Sequence, residues 1–253
     1  MNYALLAANV LVFLYTLSLA VDLAPTRLER ALELRAQTEG VCYGFVTEPT
    51  EVNRFYCRWG FQPREFFDAV AGTLPEGFDR TAILFTVVTA IFLHGGWMHI
   101  IGNTIFLWIF GDNVEDRLGH LPYLLFYLVA GIVANLVQGM IDPNSVVPVV
   151  GASGAIAGVL GAYLVLFPTA VIEVIIPVFI FFWIPVPIPA VVMIGVWFLQ
   201  NLLAGLATLG NAATPDAGVA WFAHIGGFLF GASFIFVFGR DIGRAPPRRY
   251  SEV

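Results

Sequence analysis

The chain has 253 residues, 58% of them hydrophobic and 12% charged, with a mean hydropathy of +0.82. A soluble domain carries about a quarter charged residues and turns roughly half of its side chains to water, so this apolar content excludes a soluble globule, and equally a disordered chain. The formal charge of −6, with arginine as every one of the 12 cations, lacks the basic stripe of a nucleic-acid binder; what is left is a polytopic membrane protein, which the runs below lead us to expect to be all-α.

A bilayer core about 30 Å thick needs roughly 20 apolar residues in a helix. Six runs meet that length to within a few residues: Tyr3–Val21, Trp97–Asn113, Leu121–Met140, Val149–Phe167, Pro189–Leu206 and Val219–Gly239. The first has the small residues Ala20 and Ala24 near its end, as a secretory signal does, but it has no basic segment before it. It is therefore expected to stay as a span. Residues 22–80 follow, with seven of the 12 arginines and ten of the 18 acids. Such a stretch is solvated, and it is too long for a turn, which predicts a folded loop between helices 1 and 2.

Thr81–His94 is apolar but only 14 residues long, and reads as a buried or re-entrant segment leading into the second span. Between the fourth and fifth spans, Glu173–Pro189 contains Pro177, Pro185, Pro187 and Pro189. Proline at that density cannot continue a helix, so the sequence predicts an irregular, interfacial connection there. The segment from Arg240 to Val253 carries four arginines against two acids. By the positive-inside rule it is a short cytoplasmic tail, 240–253. Six spans then put the N-terminus inside as well, and the 22–80 loop on the extracytoplasmic side.

Cys42 and Cys57 both fall in that loop. In an oxidising compartment they can pair, closing a loop of about 16 residues worth roughly 3 kcal/mol in the chain-entropy picture, or they can remain two thiols. Two cysteines with no histidine nearby argue against a zinc site, so no metal is expected.

Polar residues inside a membrane are costly and ask for a reason. The second span opens with His94-Gly-Gly-Trp-Met-His99 and reaches Asn103, one turn along on the face of His99. The fourth opens with Gly151-Ala-Ser153-Gly-Ala-Ile-Ala-Gly158, and the sixth carries Ala223-His224-Ile-Gly-Gly227 and Gly231. These three spans run in one direction, so His99, Ser153 and His224 share one depth just below the outer surface. Gly151, Gly154, Gly227 and Gly231 fit close helix packing without any chemistry. Asn135, Gln138, Gln200 and Asn201 read as interhelical glue. Packing alone does not need a serine, two histidines and an asparagine at one level. Acyl transfer does: Ser153 as nucleophile, His224 as the base that takes its proton, and His99, Asn103 and the Ser153 N–H as donors to an oxyanion. No acid lies near that depth, which predicts a dyad without a third member.

With those motifs in that order, on the second, fourth and sixth of six spans, the chain is similar to the rhomboid intramembrane serine proteases, over about residues 81–240. The resemblance implies a six-transmembrane-helix bundle of the rhomboid type, forming a single membrane domain over 1–253. It also implies a water-filled cavity open to the outer side, with Ser153 and His224 catalytic and His99 and Asn103 at the oxyanion. Its partners would be transmembrane protein substrates and the lipid bilayer, with no nucleic acid and no cofactor. By analogy it would be a multi-pass protein of the cell inner (plasma) membrane. The family likeness further implies that Pro189–Leu206 and the loop Ala207–Ala220, with Gly210, Pro215 and Gly218, govern substrate access. Glu115-Asp116-Arg117-Leu118-Gly119 reads as a cytoplasmic end cap. Some family members place a tyrosine four residues after the nucleophile, stacked on the histidine; here that residue is Ala157. An inactive relative that only binds membrane proteins would have lost the serine or the histidine, and both are present. A transporter would need polar groups through the full depth and inverted repeats, and neither is evident.

Overall fold

The computed structural model describes residues 1–20, 42–43, 50–179, 182–209 and 219–239. Arg27, Arg30 and Arg35 of the charged loop, Gly210, Pro215 and Gly218 of the expected access loop, and the Arg240–Val253 tail lie outside the described residues. In chain order come α1 (Asn2–Ala20), α2 (Glu51–Trp59), α3 (Pro63–Ala71) and α4 (Arg80–Thr89), which runs into a 3-10 turn over Ala90–Phe92. Then follow α5 (Trp97–Leu118), α6 (His120–Ile141), α7 (Ser153–Leu166), the strands β1 (Val171–Phe179) and β2 (Phe182–Pro189), α8 (Ala190–Leu209) and α9 (Trp221–Phe238).

Four of these helices, α1, α6, α8 and α9, are long and apolar enough to cross a membrane. The segment Arg80–Phe92 and α5 together make a fifth candidate, bent by 76° at Leu93–Gly96. The expected fourth span differs: α7 has 14 residues where 19 were expected over Val149–Phe167. Its sequence is small or apolar on every side, and every residue from Gly154 to Tyr163 is buried. A helix surrounded by protein need not match the thickness of lipid. It sits at the centre, with α5, α6, α8 and α9 around it.

The fold is not all-α. The stretch expected to be irregular is a two-stranded antiparallel ribbon, with Val171 opposite Pro189, Glu173 opposite Pro187 and Ile175 opposite Pro185. Proline stops a helix but does not stop this ladder, because pairs that exchange N–H···O bonds alternate with pairs that do not. Pro177, Pro185, Pro187 and Pro189 all fall on one alternate set, where a missing N–H costs nothing. β-branched Val171, Ile172, Val174, Ile175 and Ile176 supply the strand preference.

Lipid tails are as apolar as leucine, so close packing and buried hydrogen bonds hold such a bundle rather than water exclusion. Towards the end of α5 away from His94 and His99, the Asn2 side chain donates to the Leu107 carbonyl (3.0 Å) and accepts from the Tyr123 hydroxyl (2.9 Å). Glu115 accepts from the Asn2 N–H (2.7 Å) and pairs with His120, while the Arg117 guanidinium lies over Phe167. Gly119, at φ +83°, makes the turn into α6 that no β-carbon would favour. Within the 22–80 loop, Cys42 and Cys57 form a disulfide with Cα atoms 5.9 Å apart. The Tyr56 hydroxyl ties α2 to the His94 carbonyl (2.7 Å), and the Thr89 hydroxyl ties α4 to that of Trp59 (2.7 Å).

Candidate active site

Ser153 is the first residue of α7, so its N–H and those that follow have no partner within the helix. The chain reaches it through Gly151, whose φ of +132° is a conformation that side chains rarely adopt. The Gly151 N–H is fixed by the Ala90 carbonyl (2.9 Å). The His99 imidazole lies directly over Gly151: a β-carbon there would stand 2.6 Å from His99 Nε2. Gly151 is therefore not a helix-packing glycine as expected but the floor beneath a histidine.

Helix α9 starts with its N–H groups capped from α6, where Gln138 Oε1 accepts from Phe222 (3.1 Å) and Ala223 (3.3 Å). It then crosses α7 backbone to backbone. A β-carbon on Gly227 would stand 2.0 Å from the Gly154 carbonyl oxygen, and one on Gly231 would stand 1.9 Å from that of Gly158. Gly161, absent from the sequence-based set, makes a third such contact, 2.2 Å to the Phe228 oxygen. This approach sets His224 Nε2 2.8 Å from Ser153 Oγ. On the far side of the ring, Asn201 Oδ1 from α8 lies 2.6 Å from His224 Nδ1. Trp197 and Trp221 flank the same imidazole, with ring centroids 5.8 and 6.2 Å away.

From α5, His99 packs edge-on against the fully buried His94, centroids 5.1 Å apart. Asn103, one turn further along α5, has a buried side-chain Nδ2 with no hydrogen-bond partner among the described residues. A buried amide donor without an acceptor costs about 1–3 kcal/mol, so its retention asks for a reason. Ser153, His99 and His224 are all only partly buried.

The first turns of α5, α7 and α9 thus meet, and two of the sequence-derived residues, Ser153 and His224, share a hydrogen bond. A serine hydroxyl so placed can pass its proton to the imidazole. One expectation changes. Asn201 does bridge two helices, α8 and α9, but the group it meets is His224, so the histidine expected to have no further partner has one. The signal available in the sequence is one of the four amides that read as glue, on a helix with no motif. Asn135 does tie helices together, donating to the Val87 carbonyl of α4 (2.9 Å).

Apolar helices around a serine–histidine contact define a multi-pass membrane protein with a candidate site among its helices. The Rhomboid domain family model matches residues 82–241, well over half of the chain, and the chain belongs to that family. It is 33% identical over 165 residues to Rhomboid-like protease 5 of Toxoplasma gondii, covering 63% of this chain and 17% of that protein. It is 32% identical over 159 residues to Rhomboid-like protein 11, chloroplastic, of Arabidopsis thaliana (60% and 52%). Over 78 residues it is 44% identical to Rhomboid protease GluP of Bacillus subtilis (31% and 15%). The chain thus spans about half or less of the length of these curated relatives.

Proposed function

We propose that the protein is an intramembrane serine endopeptidase that cleaves transmembrane segments of other membrane proteins. The observation that carries this reading is the 2.8 Å contact of Ser153 Oγ with His224 Nε2. His224 takes the Ser153 proton as Oγ attacks the scissile carbonyl, then gives it to the departing amine, leaving an acyl-enzyme. Water, activated by the same imidazole, releases the second product and restores Ser153. The tetrahedral oxyanion forms beside the Ser153 N–H, His99 and the unbonded Asn103 amide, which gives that amide the acceptor it lacks. The steps consume water and need no cofactor or metal. A peptide bond within a helix is shielded by its own hydrogen bonds, so the substrate has to unwind locally before attack.

In this reading α7 completes a six-helix arrangement around the site, with the site towards the outer face of a cell inner (plasma) membrane and both termini cytoplasmic. The N- and C-terminal assignments rest on the arginines of the tail. A fluorophosphonate probe tests the nucleophile without a substrate. Labelling that maps to Ser153 and vanishes in His224→Ala is expected. Absence of labelling in well-folded unchanged protein points instead to an inactive family member that binds membrane proteins.

A further inference from the structure

The amide of Asn201 has only one way to face. It is buried, 4% exposed, and its Nδ2 donates to the Trp197 carbonyl at 2.7 Å. A carbonyl oxygen accepts and cannot donate, so the nitrogen end of the amide must lie there and Oδ1 must point away from it. That oxygen is the atom 2.6 Å from His224 Nδ1. It too can only accept, so Nδ1 carries the ring proton and Nε2, facing Ser153 Oγ, keeps its lone pair free. Trp197 and Trp221 pack near the same ring, one tilted and one edge-on to it.

We infer that Asn201 is the positioning residue of the site: its amide oxygen holds His224 in the Nδ1–H tautomer, ready to accept the Ser153 proton. The inference rests on the serine-protease reading above. A neutral amide gives the imidazole an acceptor without the cost of a carboxylate inside a bilayer. It also stays bonded to the ring after Nε2 is protonated, when the Nδ1–H becomes a stronger donor. Ala157, one turn after Ser153 on α7, has only a methyl group and no hydrogen bond to offer the ring. Orientation comes from α8.

Three forms of the full chain in detergent test this: unchanged, Asn201→Leu and Asn201→Asp. Leucine keeps the shape of the side chain but has no acceptor. Aspartate loses the amide donor to Trp197, as leucine does, yet keeps an oxygen opposite Nδ1. The readouts are cleavage of a transmembrane reporter, fluorophosphonate labelling rate and thermal unfolding. We expect Asn201→Leu to lose about 10- to 100-fold in kcat and in labelling rate, with KM unchanged, as when a hydrogen bond to a charged group is removed. Asn201→Asp should recover about tenfold or more of that loss. If Asn201→Leu does not fold, Asn201→Ala takes its place. Equal loss in the aspartate and apolar variants, or a loss confined to unfolding temperature, overturns the positioning role. If the unchanged protein neither cuts nor labels, the protease reading itself fails and this inference falls with it. If it does so through Ser153 while all Asn201 variants match it, only this inference falls.

Discussion

Gly227 faces Gly154 so closely that a β-carbon on it would stand 2.0 Å from the Gly154 carbonyl oxygen. The two helices they belong to carry Ser153 and His224, each within one turn of this contact. The glycines therefore do more than fill space: their lack of side chains sets the distance between Ser153 and His224. Backbone cannot move aside as a flexible side chain does, so Gly227→Ala should destabilise by at least the 1–3 kcal/mol typical of an overpacked core. It should also lower cleavage. Gly195→Ala, where nothing lies within 4 Å, should unfold at or slightly above the unchanged temperature. Equal unfolding temperatures in micelles for both variants would contradict this role.

Gly151 carries two constraints at once, a φ of +132° and the His99 ring 2.6 Å from where a β-carbon would be. Gly151→Ala should displace the His99 ring, the Ser153 turn, or both. The expected outcome is a large fall in kcat with a smaller fall in stability, about 1–3 kcal/mol. Gly95→Ala, with open space around it, is the control for general effects of added volume. Parallel kinetics and unfolding curves on the two proteins check this.

Asn103 makes an unusual prediction about stability. Its buried Nδ2 has no partner among the described residues. Asn103→Ala should therefore leave the unfolding temperature unchanged or raise it, because an unsatisfied donor is removed. If that donor serves the oxyanion, kcat should still fall about 10²–10³-fold, since the bond forms only in the transition state. Loss of stability in step with loss of rate would assign Asn103 a structural role instead.

Glu65 of α3 lies outside the spans and is only 2% exposed, accepting a hydrogen bond from the Tyr43 N–H next to Cys42. Burial pushes its carboxyl from the ordinary 4.5 up to about 7, against the lowering effect of that N–H. A carboxyl whose folded pKa is raised holds more protons folded than unfolded between those two values. Its stabilising contribution is complete below about 4.5 and is lost as pH rises through about 7. The unfolding temperature of the unchanged protein should thus fall across this range relative to that of Glu65→Gln, which has no such proton to lose. A constant difference between the two across the range would contradict the assignment.

The site's three motifs were legible in sequence because each is a polar group in an apolar run, at the first turn of helices sharing one direction. Ser153, His224 and the small residues around them follow from that rule alone. Asn201 does not, since nothing in a single sequence says which of the intramembrane amides faces His224, 23 residues along the chain. The β1–β2 ribbon is hidden because proline density argues against helix without arguing for strand; the spacing of two at Pro185, Pro187 and Pro189 is its one trace. Helix α7 is shorter than its apolar run because apolar length signals lipid only when lipid is what surrounds the helix. At Gly151 the sequence supports packing, and only the position of His99 reveals the second constraint.

Cleavage of a reporter transmembrane substrate in liposomes, by the unchanged protein beside Ser153→Ala and His224→Ala, tests the central claim most directly. Both substitutions are small and sit in the first turn of their helices, so both proteins should fold. The account predicts that the unchanged protein cuts within or beside the reporter's membrane segment and that both variants are silent. Equal cutting by either variant would show that the 2.8 Å contact between Ser153 and His224 is not the source of the chemistry.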